Sequence, residues 1–222
     1  MTPRLHTDAS NGHLRRLGDM MLYQFRMGTN PRRVSIYLSE KGIDVPRYEL
    51  DYANLEHRTP EYLRINPSGR APSLVTDDGA VITEAAAIVE YFEELFPEPT
   101  MIGTSPEQRA QVRALERLGN DLIARSMLWL WNTTDAFPRK EPQPSKAFAD
   151  MLYRHVDELL AVLEQAIGDK AFLAGEIPTI ADCTVFPIFQ TARERFNLSY
   201  AVHYPRLNAW YENFRARKSA EY

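Results

Sequence analysis

The first hundred residues switch repeatedly between short apolar runs and helical spacing. Met21 to Phe25 (MLYQF) is a short apolar strand, and the polar turn Met27-Gly28-Thr29-Asn30 follows it. A helix is expected from Pro31 to Gly42, because Asn30 can accept from the first free amides and Pro31 has no amide to leave unsatisfied. Tyr48, Leu50 and Tyr52 alternate with Arg47, Glu49 and Asp51, the period of a second strand. A short helix is expected near Pro60 to Ile65. Ser73 to Thr76, Asp77-Asp78-Gly79 and Ala80 to Thr83 spell strand, tight turn and strand. Thr83 is the expected cap of a helix carrying Ile88, Tyr91, Phe92 and Leu95 and ending at Pro97. The resulting order is β-α-β-α-β-β-α.

Beyond Phe96 the pattern becomes helical throughout. Phe96 to Pro106 holds three prolines and a glycine without a sustained period, which marks a linker. The expected organisation is a disordered extension over 1–20, a first domain over 21–97, a linker over 98–105 and an all-helical domain over 106–222. Ser105-Pro106-Glu107-Gln108 is a capping box. It opens a long helix, to about Asn132, whose face is Val112, Leu115, Leu118, Leu122, Ile123, Met127 and Leu130. After a proline-rich loop (Asp135 to Ser145), a second stripe comprises Phe148, Met151, Leu152, His155, Val156, Leu159, Leu163 and Ile167. Thr179 and Asp182 form another capping box, Pro187 is expected to kink the helix it opens, and a last helix starts near Pro205.

Composition removes several function classes. With 222 residues, 44% of them hydrophobic, and a formal net charge of -4 without a block of like charges, neither nucleic acid nor a membrane surface is an expected partner. The single cysteine, Cys183, forbids an intrachain disulfide and a multi-cysteine metal site, so no metal is expected and a reducing cytoplasm is the expected compartment. One chemical opportunity stands out, the open N-terminus after the Met27–Asn30 turn. Free N–H groups and the positive end of the helix dipole stabilise an anion such as a thiolate.

The β-α-β-α-β-β-α half followed by a helical half resembles the cytosolic glutathione S-transferase superfamily over roughly Met21 to Arg217. That resemblance implies an α/β thioredoxin-like N-terminal domain joined to an all-α C-terminal domain. Asn66-Pro67-Ser68-Gly69-Arg70-Ala71-Pro72 is similar to the superfamily's Asn-Pro-x-Gly-Lys/Arg-Val-Pro loop, whose proline is cis. The resemblance gives Ala71, before Pro72, the role of pairing its backbone with the cysteinyl part of glutathione. Ile82-Thr83-Glu84-Ala85 resembles the Glu-Ser motif, in which the carboxylate meets the γ-glutamyl ammonium. Ala85 stands where Ser is usual, which removes one side-chain hydrogen bond to the tripeptide. His57 and Arg70 sit where the family places cations for the glycyl carboxylate.

The family's sulfur-activating Tyr, Ser or Cys is absent from the usual place in the turn. Thr29 and Asn30 remain as the candidate catalytic residues, similar to bacterial and fungal members whose Thr-Pro-Asn or Ala-Pro-Asn turn donates to the thiolate. Capping is the competing role for Asn30. Tyr23 is a weaker catalytic candidate, since aromatic residues in a first strand are usually core. Cys183 and His155 read as packing residues. Met127, Trp131 and Phe137 are candidates for an apolar second-substrate pocket, and of Trp129 and Trp131, two apart on a helix, one is expected to pack elsewhere. The resemblance implies glutathione as co-substrate, a small hydrophobic electrophile as its partner in a cleft against the helical half, and a homodimer. Peroxide reduction, dehalogenation, ether cleavage and isomerisation reuse the same thiolate, and a non-catalytic binding or assembly module is the competing class.

Overall fold

A computed structural model describes residues 5–7, 14–134 and 145–221. The chain divides into two compact units, one reaching Thr100 and one spanning Met101–Glu221. The boundary falls inside the proline-rich segment expected to be a linker.

In the first unit a four-stranded sheet is ordered β4-β3-β5-β6, with β3 at Met21–Gln24, β4 at Arg47–Glu49, β5 at Ser73–Val75 and β6 at Val81–Thr83. β3 and β4 run parallel; β5 is antiparallel to both β3 and β6. Helices α1 (Thr29–Lys41), α2 (Pro60–Ile65) and α3 (Ala85–Leu95) complete the expected order. Leu22, Val34, Ile36, Leu38, Leu74, Ile88 and Phe92 form the core. Between α1 and α3, the buried Glu93 carboxylate accepts from Tyr37 Oη at 2.6 Å and pairs with Lys41 Nζ at 3.1 Å.

Two helix starts differ from the expectation. α1 begins at Thr29 rather than Pro31, and its N-cap is Gly28, with no side-chain cap from Asn30. The cause is local. Arg32 N–H already donates to Gly28 O at 3.0 Å, so Pro31 fits inside the first turn. Its ring lies so close to residue 28 that a Cβ there would stand 2.8 Å from Pro31 Cδ. Only glycine tolerates that approach. α3 is likewise capped by the residue after the expected Thr83, namely Glu84, and again without a side-chain hydrogen bond.

The extension expected to be disordered over 1–20 carries an antiparallel pair, β1 (Leu5–Thr7) with β2 (Leu14–Arg16), and Leu17 and Met20 are buried. Buried apolar side chains at 17 and 20 tie this segment to the fold.

The second unit is helical: α4 (Pro106–Thr133), α5 (Lys146–Ile167), α6 (Ile180–Phe196) and α7 (Pro205–Arg215). α4 packs against both α5 and α6, and Gly119 lets α6 approach closely, because a Cβ there would lie 2.8 Å from Val185 Cγ2. Both capping boxes form, at Ser105/Gln108 and at Thr179/Asp182. α6 runs unbroken through Pro187. The buried stripe of α5 is Leu152, Val156, Leu160, Leu163 and Ile167, rotated from the expected one so that Leu160 replaces Leu159 and Phe148 is exposed. His155 is half-exposed beside Glu158 at 3.4 Å rather than in the core. Among the described residues no helix is long and apolar enough to cross a membrane.

Candidate functional site

The strand register brings the candidate residues of the first unit to one end of the sheet. Tyr23 stands opposite Tyr48 on β4 and Ser73 on β5, and Ser73 stands opposite Thr83 on β6. Beyond this row, four segments leave the sheet at the same end. They are the turn to Thr29 and Asn30, the loop to His57, the Arg70-Ala71-Pro72 approach, and Glu84-Ala85. Thr29 and Ala85, 56 positions apart in sequence, thus share one rim, because β3, β4 and β6 end there and β5 begins there.

The turn opens α1 toward this rim with unpaired donors. Gly28 N–H donates to Phe25 O at 3.1 Å, Pro31 has no N–H, and Arg32 N–H is taken by Gly28 O. Thr29 and Asn30 therefore keep free amides, and Asn30 is exposed. These two donors lie at the positive end of the α1 dipole.

The Ala71–Pro72 bond is cis. Its approach is held from behind: Arg70 O accepts from Tyr62 Oη at 2.6 Å and Asn66 Nδ2 at 2.8 Å, and Ser73 Oγ contacts both side chains at 2.9 and 3.0 Å. Burial pushes the Tyr62 phenol up from its ordinary pKa, which keeps it a donor. Asn66 also orients Ser68, and Arg58 Nη1 reaches Ser68 O at 3.3 Å across Gly69, whose φ is 61° and where a Cβ would stand 2.7 Å from Arg58 Nη1. With Arg70 O satisfied, the amide and carbonyl of Ala71 make no hydrogen bond among the described residues. Tyr62 escaped the sequence reading. Its only signal was an aromatic residue four before the Asn66-Pro67 motif.

Glu84 adopts φ 70° and ψ 124°, a region that costs a non-glycine residue about 1–3 kcal/mol. Its carboxylate is exposed, and the first hydrogen bond of α3 runs from Ile88 N–H to Glu84 O at 3.0 Å. Ala85 is buried and has no side-chain donor, while the amides of Ala85, Ala86 and Ala87 are unspent.

His57 departs from its expected role as a cation. It is buried, its ring stacks on Tyr52 at 5.1 Å and meets Phe25 edge-on at 5.3 Å, and Nδ1 has no hydrogen-bond partner. Burial first, and the Arg58 charge second, pull its pKa below 6.5, so the ring is neutral at pH 7. It can offer a hydrogen bond but not a charge. Its loop is pinned by Glu56, which accepts from Asp51 N–H and Tyr48 Oη, both at 2.6 Å. Arg70 is exposed and remains the cation of this rim.

The second-substrate candidates belong to the helical unit. Met127 is half-buried and Trp131 is 53% exposed on α4; Phe137 and the proline-rich loop around it lie outside the described residues. Trp129 turns the other way and packs on Tyr153 at 5.0 Å, as the spacing of the two tryptophans requires. Tyr23 is enclosed by Tyr48 and Tyr62 at 5.4 and 6.0 Å, and Cys183 is fully buried.

Known proteins share this sequence and architecture. Residues 22–100 match the glutathione S-transferase N-terminal domain model and residues 108–213 the C-terminal domain model. A maleylacetoacetate isomerase of Pseudomonas aeruginosa is 34% identical over 86% of each chain, and glutathione S-transferase 2 of Saccharomyces cerevisiae is 27% identical over 95% of this chain and 92% of its own. A crystal structure of a glutathione S-transferase domain-containing protein from Marinobacter aquaeolei superposes with a TM-score of 0.79 at 28% identity, covering 90% of this chain and 98% of that one. With both halves matched in order and the rim assembled on the first, the chain belongs to the cytosolic glutathione S-transferase superfamily, a family of enzymes.

Proposed function

We propose that the rim of the first unit binds glutathione and that α1 activates its sulfur for attack on a small hydrophobic electrophile. The observation that carries this reading is the convergence, at one end of the sheet, of the free Thr29 and Asn30 amides with the unpaired backbone of Ala71. An extended tripeptide needs such backbone partners for its cysteinyl residue, as a strand does. Glu84 supplies a carboxylate for the γ-glutamyl ammonium, the α3 amides supply donors for its carboxylate, and Arg70 with neutral His57 faces the glycyl end. A free thiol has a pKa of about 8.5, and two amides plus a dipole lower it, which raises the thiolate fraction at neutral pH. Neither Thr29 nor Asn30 needs to move a proton for this. Holding the nucleophile in place supplies the rest of the rate.

Ultraviolet titration of bound glutathione tests the proposal. A thiol pKa below that of free glutathione is expected; an unchanged value removes the activated-thiolate mechanism. No retention on immobilised glutathione would instead favour the non-catalytic module.

Similarity to the Pseudomonas isomerase favours a second reading, glutathione-dependent isomerisation, which also uses a thiolate but returns glutathione unchanged. Counting glutathione consumed per product separates the two: conjugation consumes one equivalent, isomerisation none. We also propose a homodimer in solution, and light scattering at the monomer mass of 25.5 kDa would overturn it.

A further inference from the structure

The first unit contains a directed hydrogen-bond chain that the glutathione rim does not itself use. Arg47 Nη1 on β4 donates to Ser35 Oγ on α1 at 2.7 Å. Ser35 Oγ donates to Gln24 Oε1 on β3 at 3.1 Å, Gln24 Nε2 donates to Glu49 Oε1 on β4 at 2.5 Å, and the other Glu49 oxygen accepts Arg26 N–H at 3.0 Å. Gln24 and Ser35 are both buried. The Glu49 end fixes the direction. A carboxylate can only accept, so Gln24 presents Nε2 to Glu49 and its Oε1 to the Ser35 hydroxyl. Leu50 N–H also donates to Gln24 O at 2.8 Å, tying the same residue to the start of the His57 loop.

From this we infer that Glu49 is a positioning residue for the thiolate site. Its carboxylate, polarised from Arg47 through Ser35 and Gln24, holds Arg26 and so sets where the turn delivers the Thr29 and Asn30 amides. The assignment rests on the reading that α1 receives the glutathione sulfur. Arg26 lies two residues before the N-cap, where a shift of the backbone redirects both free donors. Glu49 touches no reacting atom, and it acts through the turn.

Two substitutions at Glu49 give a test that packing alone cannot mimic. Glu49→Ala removes both acceptors. Glu49→Gln keeps the shape and one acceptor oxygen, and Gln24 can turn over to meet the new amide NH2, because Ser35 Oγ has a second lone pair for Gln24 Nε2 beside the one Arg47 uses. Arg26 N–H therefore keeps its acceptor in Glu49→Gln. Expected are a fall in kcat of about 10- to 100-fold for Glu49→Ala and of less than about fivefold for Glu49→Gln. The KM for glutathione should change less than about threefold throughout, because the tripeptide frame is intact. Amide hydrogen exchange at Arg26, measured without ligand, should quicken by the same 10- to 100-fold in Glu49→Ala and stay near the wild-type rate in Glu49→Gln. If Glu49→Gln loses as much turnover as Glu49→Ala, or exchange at Arg26 is unchanged in Glu49→Ala, the inference is wrong. If the wild type fails to bind glutathione, the functional reading falls, and exchange at Arg26 and Thr29 still decides whether Glu49 holds the turn.

Discussion

The N-termini of α6 and α1 are built in opposite ways. At α6, Asp182 Oδ2 accepts from Thr179 N–H at 2.8 Å and from Thr179 Oγ1 at 2.9 Å, while Oδ1 takes Leu173 N–H at 2.9 Å and Trp210 Nε1 at 2.8 Å. The carboxylate is wholly buried; burial pushes its pKa up and the four donors pull it down. At α1 the cap is a glycine without a side chain, the first turn contains a proline, and two amides are left open. A helix start that serves only the fold satisfies its donors internally, and one that serves a ligand leaves them unspent at some cost in stability. α3 belongs with α1, since Glu84 caps it with no side-chain bond and in a costly backbone conformation.

Substitutions that separate stability from function should break this division if it is false. The largest effect is expected from Asp182→Ala, which leaves buried donors unpaired and should cost roughly 3–5 kcal/mol of unfolding free energy, seen as a large drop in Tm. Glutathione affinity per folded molecule should not change. Glu84→Gly should do the reverse. Relief of the positive φ adds about 1 kcal/mol of stability, while calorimetry should show glutathione binding weakened about 10- to 100-fold. A variant that lost both stability and affinity would make Glu84 an ordinary structural cap. Asn30→Ala keeps the backbone amide at the rim, so turnover should change less than about threefold and stability should stay within about 0.5 kcal/mol, since the side chain caps nothing; a tenfold loss of turnover would move the donor from backbone to side chain. A stability loss near 1 kcal/mol would return Asn30 to the capping role.

The smallest effect concerns pH. Folding holds His57 below its ordinary pKa of 6.5, so the unfolded chain takes up the proton first. The contribution is fully present above about pH 6.5 and is lost as pH falls through the folded value. Urea titrations from pH 7.5 downward should show the wild type losing more stability than His57→Phe, and parallel slopes would remove the burial argument.

The capping boxes, the hairpin and the Asn66–Pro72 loop were legible because each is specified within a few residues by side chains whose chemistry permits little else. The start of α1 moves by two residues for a local reason that only backbone geometry reveals, the Pro31 ring lying against residue 28. Most of what else the sequence concealed depends on neighbours distant along the chain. His57 loses its charge because Tyr52 and Phe25 close over it. The α5 stripe rotates because an apolar helix with Leu159 and Leu160 adjacent offers two faces, and packing chooses between them. Glu49 looked like one polar position in an alternating strand, and only the register of β3 against β4 sets it beside Gln24.

Cys183, the chain's sole thiol, is sealed inside α6. The folded protein is therefore optically silent toward colorimetric thiol reagents, so any sulfhydryl they report in a mixture with glutathione is the ligand's own. Unfolding adds a single equivalent to that signal, which lets one absorbance trace follow loss of the helical unit above a constant glutathione background.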